Sequence, residues 1–576
     1  MLFRRRLREF VPLVCSEGDF ENMRQLKVPM LIGERARDAV VALAGVGILL
    51  LGIWLRLPSI DARPLWNDEL WRINLILEPQ LWDRYVNHPD AYTAITSPAY
   101  IFLTRLIASF NLSPLLLRMI SFVPSVLVII FGYLVVLRAG GTRAIGLLAS
   151  LLIATNLEFI RYSSEFKPYM FEVFFHVLCI YAWISVVANT KPSKSRWMFF
   201  GGVLLIAILA AANVVFIIPA MFGTAIWKAL RQGRWELYRL LSCLACLTLL
   251  IAFLYQAHWR FGTSGGMLEY WAGSFRGPTD VSYIGFIWSK SKDVWRAAFN
   301  AIGSGYWLPK LMGIEAIVIT GILLFSWVWR HRNGSDRSES LGKYVTAFCV
   351  LFAVTLITLN MAGKWPFGAI RPNLFVYAHI LLFVSVAMSL VPTRILKGII
   401  TAVPILLIVM GLRGTNLNQL RQLGPPMEDT MGVWESFVYD SPSARDMRNQ
   451  CANGRVVAFT NPGMTHALEF LRARALSGEI PKTELMAECV ELRRISDAYS
   501  DQPRMKASLD AVAGASQPIW VLYSHLDQSE VETMNTLLRQ YGVLVDEKVF
   551  QSAGYIRVIP PSYQSRGILP EDLHEQ

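Results

Sequence analysis

The sequence predicts an α-helical membrane protein with many spans, followed by a small water-soluble α/β domain. Three observations carry that prediction. Hydrophobic residues make up 54% of the 576-residue chain and charged ones 17%, with a mean hydropathy of +0.39; a soluble chain carries about a quarter charged residues. The apolar residues come in runs about 20 long, the length needed to cross a hydrocarbon core of roughly 30 Å. Lys and Arg gather in the short segments between the runs, as cytoplasmic loops do. That distribution accounts for the net charge of +12 without a nucleic-acid partner, which would require a basic face on a folded domain.

The elements follow in order. Residues 1–36 are polar, begin with Arg4, Arg5 and Arg6, and contain no apolar core or cleavage site. They read as a retained cytoplasmic segment rather than a removed signal peptide. Spans are expected near 37–57, 114–138, 144–160, 168–189, 198–211, 212–229, 237–257, 311–330, 341–361, 374–391 and 395–412. The loops at Arg138 and Arg143, at Lys191, Lys194 and Arg196, and at Lys228, Arg231, Arg234 and Arg239 are then cytoplasmic. So are those at Arg330, Arg332, Arg337 and Lys343, and at Arg394 and Lys397.

Parity settles two ambiguous stretches. If SPAYIFLTRLIASFNL (97–112) crossed the membrane, every later basic loop would be inverted. The stretch is short and has Arg105 in its middle, so it reads as an interfacial helix on the outer surface. Residues 197–227 read as a tight hairpin turning near Asn213, with Pro219 breaking the second arm. About eleven spans result, with the N-terminus inside and residues 58–113, 258–310 and 413–576 outside. The membrane unit is 37–412.

The last segment is soluble by composition. RVVAFT (455–460), PIWVLYS (518–524) and GYIRVIP (554–560) read as strands, and THALEFLRARA (465–475) and SEVETMNTLLRQYG (529–542) as helices. Cys451 and Cys489 would share an oxidising compartment and are candidates for a disulfide. Cys243 and Cys246 have CxxC spacing inside an apolar run, where packing explains them better than a metal.

With this topology the polar residues most costly to a lipid-embedded chain collect at one face, and the span interiors read as almost free of charge. PLWNDELWRINLILE (64–78) offers adjacent carboxylates, Asp68 and Glu69, with Arg72 one helical turn beyond Asp68. A capped interfacial helix is the plainer reading of this stretch, since Asn67 and Asp68 are good N-cap types. NLEFIRYSSEFKPYMFEVFF (156–175) supplies Arg161, Tyr162, Glu165, Lys167 and Tyr169 within three turns. Its cations and hydroxyls suit an anionic phosphate, Arg as a fork and Lys as a point charge; a snorkelling belt would look similar. GKWPFGAIRPNLFVY (363–377) adds Lys364, Trp365 and Arg371, with Gly363 and Gly368 permitting a tight loop. HWRFGTSGGMLEYW (258–271) suggests a lid or a sugar platform. An acidic pair and several cations at one depth are what moving a group off a lipid phosphate requires.

At these residues the chain resembles the GT-C fold glycosyltransferases, and is similar to protein O-mannosyltransferases and to the aminoarabinose transferases that modify lipid A. The resemblance rests on Asp68-Glu69 after the first span, on RYSSEFKPY, and on WPFGAIR before a late span. Relatives often carry Lys before the Pro that opens the interfacial helix, whereas this chain has Thr96-Ser97-Pro98. The resemblance therefore assigns no phosphate contact to that loop. It implies a polyprenyl-phosphate-linked sugar donor, a glycan, lipid or protein acceptor, and a site outside the cytoplasmic membrane. Asp68 would then be the general base and Glu69 would orient the acceptor or an adjacent cation. Arg161, Lys167, Arg371 and Lys364 would bind the donor phosphate, with Tyr162, Glu165, Tyr169 and Arg72 lining the pocket. Phosphate is already a fair leaving group, so the chemistry does not require a metal, although a divalent ion is compatible with it. A lipid-linked glycan transporter also needs cations facing a phosphate, but such proteins commonly show inverted repeats, absent here. An O-antigen ligase or polymerase shares the donor type.

Overall fold

A computed structural model describes residues 17–60, 65, 67–77, 96–189, 192–232, 234–257, 272–275, 282–302, 307–317, 339–391, 394–413, 415, 420, 456–460, 470, 473–474, 477, 490–494, 519–523, 528–550 and 553–559. The first helix, α1 (Glu17–Ile60), is followed by two short ones, α2 (Asn67–Leu77) and α3 (Pro98–Ala108). Then come α4 (Pro114–Arg138), α5 (Arg143–Thr155), α6 (Leu157–Ser163), α7 (Tyr169–Val187), α8 (Lys194–Ala210), α9 (Ile218–Gln232) and α10 (Arg234–Ala257). The membrane half closes with α11 (Tyr283–Ala298), α12 (307–317), α13 (Glu339–Met361), α14 (Leu374–Leu390) and α15 (Arg394–Arg413).

Among the described residues five helices are long and apolar enough to cross a membrane: Ala36–Ile60, Pro114–Arg138, Tyr169–Val187, Leu341–Met361 and Arg371–Ser389. The other expected spans are shorter or partly polar helices, and 318–338 lies outside the described residues. Two interruptions have identifiable causes. The run expected over 144–160 stops at Thr155, because the Asn156 side chain accepts from Phe159 N–H and starts α6. The last carbonyls of α5 are taken by Arg56, which donates to Ile153 O at 3.2 Å and Ala154 O at 2.8 Å. The stretch 194–232 breaks into α8 and α9 across a 3-10 turn, Ala212–Phe216, as expected near Asn213. Pro219, however, does not break the second arm. It sits in the first turn of α9, where its missing N–H costs nothing.

Packing orients the helices. Gly132 lets α4 approach α5 closely, since a Cβ there would lie 2.5 Å from Ile153 Cδ1. Phe200 of α8 meets Phe222 of α9, and Trp183 of α7 donates to Thr224 of α9 at 2.9 Å. Lys228 at the end of α9 is buried against the end of α7, donating to the carbonyls of Val186, Val187 and Asn189. That cation at a helix C-terminus satisfies otherwise orphaned carbonyls. It also brings both ends of the 194–232 pair back to one end of the bundle.

The C-terminal sheet has the order β2-β1-β3-β5-β4, with β1 Val456–Thr460, β2 Val490–Arg494, β3 Ile519–Tyr523, β4 Val543–Phe550 and β5 Ala553–Ile559. β1 pairs in parallel with β2 and β3, while β5 runs antiparallel to β3 and β4. The three strands expected from sequence are present; β2 and β4 were not anticipated. The period of two along β3 divides its side chains between two cores. Val521 and Tyr523 pack on α16 (Gln528–Leu538), which contributes Val531, Met534, Leu537 and Leu538. Trp520 and Leu522, with Tyr555, join a cluster containing Leu70, Ile73 and Ile76 of α2, Tyr100 of α3, and Leu117 and Ile120 of α4. The C-terminal sheet is therefore continuous with the core beneath α2 and α3. Cys451, Cys489, most of 465–475 and the 258–271 stretch lie outside the described residues.

Candidate active site

The interhelical segments at the end of the bundle opposite Lys228 form one connected layer. Glu69 of α2 is fully buried and engages Arg118 of α4 bidentately, with Nε to Oε1 at 3.1 Å and Nη2 to Oε2 at 2.9 Å. Arg118 Nη1 also donates to Ile60 O at 2.9 Å, and the Phe166 N–H donates to Glu69 Oε1 at 2.5 Å. The Glu69–Arg118 pair thus ties together α1, α2, α4 and the turn before α7. The fork geometry and desolvation make this a strong, directional contact. Glu69 was expected to orient an acceptor or an adjacent cation; its cation is Arg118, in the second turn of the apolar helix α4. A lone charge in such a helix is the signal that sequence reading passed over. Asp68 precedes it in α2, and the Asp68 side chain lies outside the described residues.

The turn joining α6 to α7 carries the cations. Glu165, buried, lies between Arg161 and Lys167, with Arg161 Nε at 3.7 Å from Oε1 and Lys167 Nζ at 3.9 Å from Oε2. Lys167 is buried whereas Arg161 is 31% exposed. Aromatic faces back both cations: Arg161 lies 5.3 Å from the Tyr162 ring centroid and Lys167 5.7 Å from that of Tyr169. Those two rings meet edge to face at 5.4 Å. Burial pushes the Tyr162 phenol well above its usual value, so it remains a neutral hydroxyl. The Ser121 hydroxyl of α4 donates to Lys167 O at 2.7 Å and pins the turn. Five expected residues, Arg161, Tyr162, Glu165, Lys167 and Tyr169, come together here.

The 362–373 loop is a rigid turn built on two asparagines. Asn373 accepts from Trp365 Nε1 at 2.7 Å and donates to Pro366 O and Gly368 O, each at 3.0 Å. Asn360 donates to Ser274 O at 3.1 Å and Trp365 O at 3.0 Å, and accepts from the Tyr283 hydroxyl at 3.0 Å. Gly368 has φ +146°, a conformation side chains rarely adopt, and a Cβ there would meet Lys290 Cδ at 3.4 Å. Trp365 packs on Phe216 at 4.6 Å, fastening the loop to the 3-10 turn after α8. Lys364 is exposed and Arg371 half-buried in its own 3-10 turn.

A second polar chain was not foreseen. Asn213 donates to Glu172 Oε2 at 2.9 Å, and its Oδ1 lies 3.0 Å from His176 Nε2. Because the amide nitrogen is committed to the carboxylate, Asn213 Oδ1 must accept, so His176 Nε2 carries a proton. His176 stacks on Phe375 at 4.3 Å and meets His379 edge to face at 5.2 Å. All four polar residues are buried. Glu172, Arg56 and Arg118 are buried charged residues close to the ends of α7, α1 and α4, as expected of spans whose interiors are almost free of charge. Arg72 of α2 donates to Thr96 Oγ1 at 2.8 Å, and the neighbouring Ser97 hydroxyl donates to Ala210 O at 2.5 Å. These bonds hold α2 and α3 beside the Asn213 turn. Among the described residues no group of three metal-ligating side chains comes together.

No family model matches the sequence, and no curated protein matches it. Solved structures do. The chain is similar to ArnT from Cupriavidus metallidurans bound to undecaprenyl phosphate, at 12% identity and a TM-score of 0.44, covering 90% of this chain and 98% of that one. It is similar to the Archaeoglobus fulgidus oligosaccharyltransferase in complex with Zn and sulfate, at 12% identity and a TM-score of 0.46, covering 88% and 73%. It is also similar to the oligosaccharyltransferase AglB from that organism, in complex with an inhibitory peptide and a dolichol-phosphate, at 11% identity and a TM-score of 0.45, covering 92% and 77%.

Proposed function

We propose that this protein is a GT-C type glycosyltransferase that moves a sugar from a polyprenyl-phosphate donor to a hydroxyl acceptor on the outer face of the cytoplasmic membrane. The observation that carries the reading is the contact between the acidic pair's helix and the cation-bearing turn. Phe166, between Glu165 and Lys167, donates its N–H to Glu69, so the helix that carries Asp68 packs against the turn that carries the two cations. The acceptor oxygen attacks the anomeric carbon, the bond from that carbon to the phosphate oxygen breaks, and the hydroxyl proton passes to the Asp68 carboxylate. A single displacement inverts the anomeric configuration. The anomeric carbon gains positive charge at the transition state, which a carboxylate stabilises. The departing phosphate gains negative charge, which Arg161 and Lys167 offset, joined by Arg371 and Lys364 from the 362–373 loop. Fixed cations in a partly dry site are worth far more than in water. Glu165 lies between the two cations, 3.7 Å from Arg161 Nε and 3.9 Å from Lys167 Nζ, and organises the pair.

The test is to incubate purified protein with radiolabelled polyprenyl-phosphate sugars. Lipid phosphate should be released only with an acceptor present, and the product should be inverted. Movement of intact donor across a vesicle membrane without cleavage would instead make it a transporter, and transfer of whole preassembled glycans would make it a ligase or polymerase.

A further inference from the structure

We infer that Arg72, Tyr100, Glu172 and Asn213 form a second recognition site beside the proposed reaction centre, one that reads the hydroxyl groups of the donor sugar. This rests on the glycosyltransferase reading above.

Three observations meet at this place. First, the Tyr100 hydroxyl is buried and has no hydrogen-bond partner among the described residues. The ring is fixed against Phe171 at 5.7 Å and Phe166 at 6.1 Å. Phe171 is the residue before Glu172, and Arg72 bonds to Thr96, four residues before Tyr100; burial keeps the hydroxyl neutral. Leaving such a group unsatisfied is costly unless something else fills the role. Second, Arg72 and Glu172 do not close into an ion pair. Arg72 bonds to Thr96 instead. Third, Glu172 receives Asn213 on Oε2 alone, and no described residue donates to Oε1. His176 holds the Asn213 amide so that its nitrogen faces the carboxylate.

The chemistry selects the ligand. A phosphate placed here would be repelled by Glu172, and an ammonium group by Arg72. Hydroxyl groups both donate and accept, so a polyol can give a proton to Glu172 Oε1 while receiving bonds from Arg72 and the Tyr100 hydroxyl. The position fits as well. Arg72 lies four residues after Asp68 on α2, hence on the same helix face, and Glu172 begins the helix that follows the Arg161–Lys167 turn. A donor with its phosphate at that turn would present its sugar to this group.

The experiment compares two lipids of one chain length, bare decaprenyl phosphate and decaprenyl phosphate carrying mannose, glucose, galactose or arabinose. Binding to the purified full-length chain is measured for the wild type, Tyr100→Phe and Glu172→Gln. Tyr100→Phe removes a hydroxyl that has no partner among the described residues, so it should melt as the wild type does. The wild type should prefer at least one sugar-bearing lipid over the bare one. Tyr100→Phe should weaken that lipid about 3- to 10-fold, and Glu172→Gln about 10- to 100-fold, matching a neutral and a charged hydrogen bond. Both variants should bind the bare lipid as the wild type does. Unchanged preference in Tyr100→Phe and Glu172→Gln, in a wild type that transfers sugar, would overturn this site and leave the transferase standing. Equal loss of both lipids would assign these residues to the phosphate and overturn the site as well. A wild type that binds neither lipid would overturn the site and the transferase together.

Discussion

Among individual residues, Glu69 of the adjacent carboxylates Asp68 and Glu69 is committed to holding the fold together. Glu69 is buried in a two-point contact with Arg118 and accepts a backbone N–H, leaving it little capacity for an incoming substrate. Removing one member of a buried pair strands the other charge, at a cost of about 3–5 kcal/mol, whereas replacing both with apolar residues is far milder. Arg118→Met should therefore lower the thermal unfolding midpoint sharply in detergent, and adding Glu69→Met should recover most of the loss. Simply additive losses would contradict the pairing. The sequence made Asp68 and Glu69 conspicuous but could not tell them apart, because the distinguishing partner lies 49 residues away in an apolar helix. Glu172 and His176 escaped notice for a related reason. Each is a single polar residue in an aromatic run, and only the fold reveals that Asn213 joins them.

At the scale of elements, hydropathy was a good guide to where helices are and a poorer one to where they stop. The breaks at Asn156 and Asn213 arise from side chains that bond across the bundle, to Ala297 and Ala298 in one case and to Glu172 and His176 in the other. Short basic loops correctly suggested that 194–232 returns on itself, but burial of Lys228 against the end of α7 could not be read from loop charge. β2 and β4 are short or carry charged residues, so their alternation was masked, while the apolar β3 and β5 stood out. The 362–373 loop yields an element-level prediction. Asn373→Ala removes three hydrogen bonds and leaves Trp365 Nε1 without an acceptor, costing about 1–3 kcal/mol. Because Lys364 and Arg371 ride on this loop, the KM for donor should rise more than kcat falls. An unaltered KM would detach the loop from donor binding.

For the whole molecule, the sequence suggested two parts, a membrane unit and a soluble domain, and the core runs through both. Trp520 and Leu522 of β3 pack in the same cluster as Leu70 and Ile73 of α2, the helix that carries Asp68. Trp520→Ala should destabilise the protein by about 3–5 kcal/mol, as loss of a buried large aromatic does. It should also reduce transfer at temperatures where the fold persists, because α2 loses its backing. Full activity after deletion of 420–576 would show that the membrane half holds α2 unaided and would contradict this coupling. The account as a whole turns on Asp68 as the group that takes the acceptor proton while the cation-bearing turn holds the donor. The most direct measurement is paired transfer and donor-binding assays on Asp68→Asn. Transfer should be abolished while polyprenyl-phosphate-sugar binding stays within about twofold of wild type, as expected of a group acting only in the transition state. Turnover close to wild type in that variant would contradict the central claim.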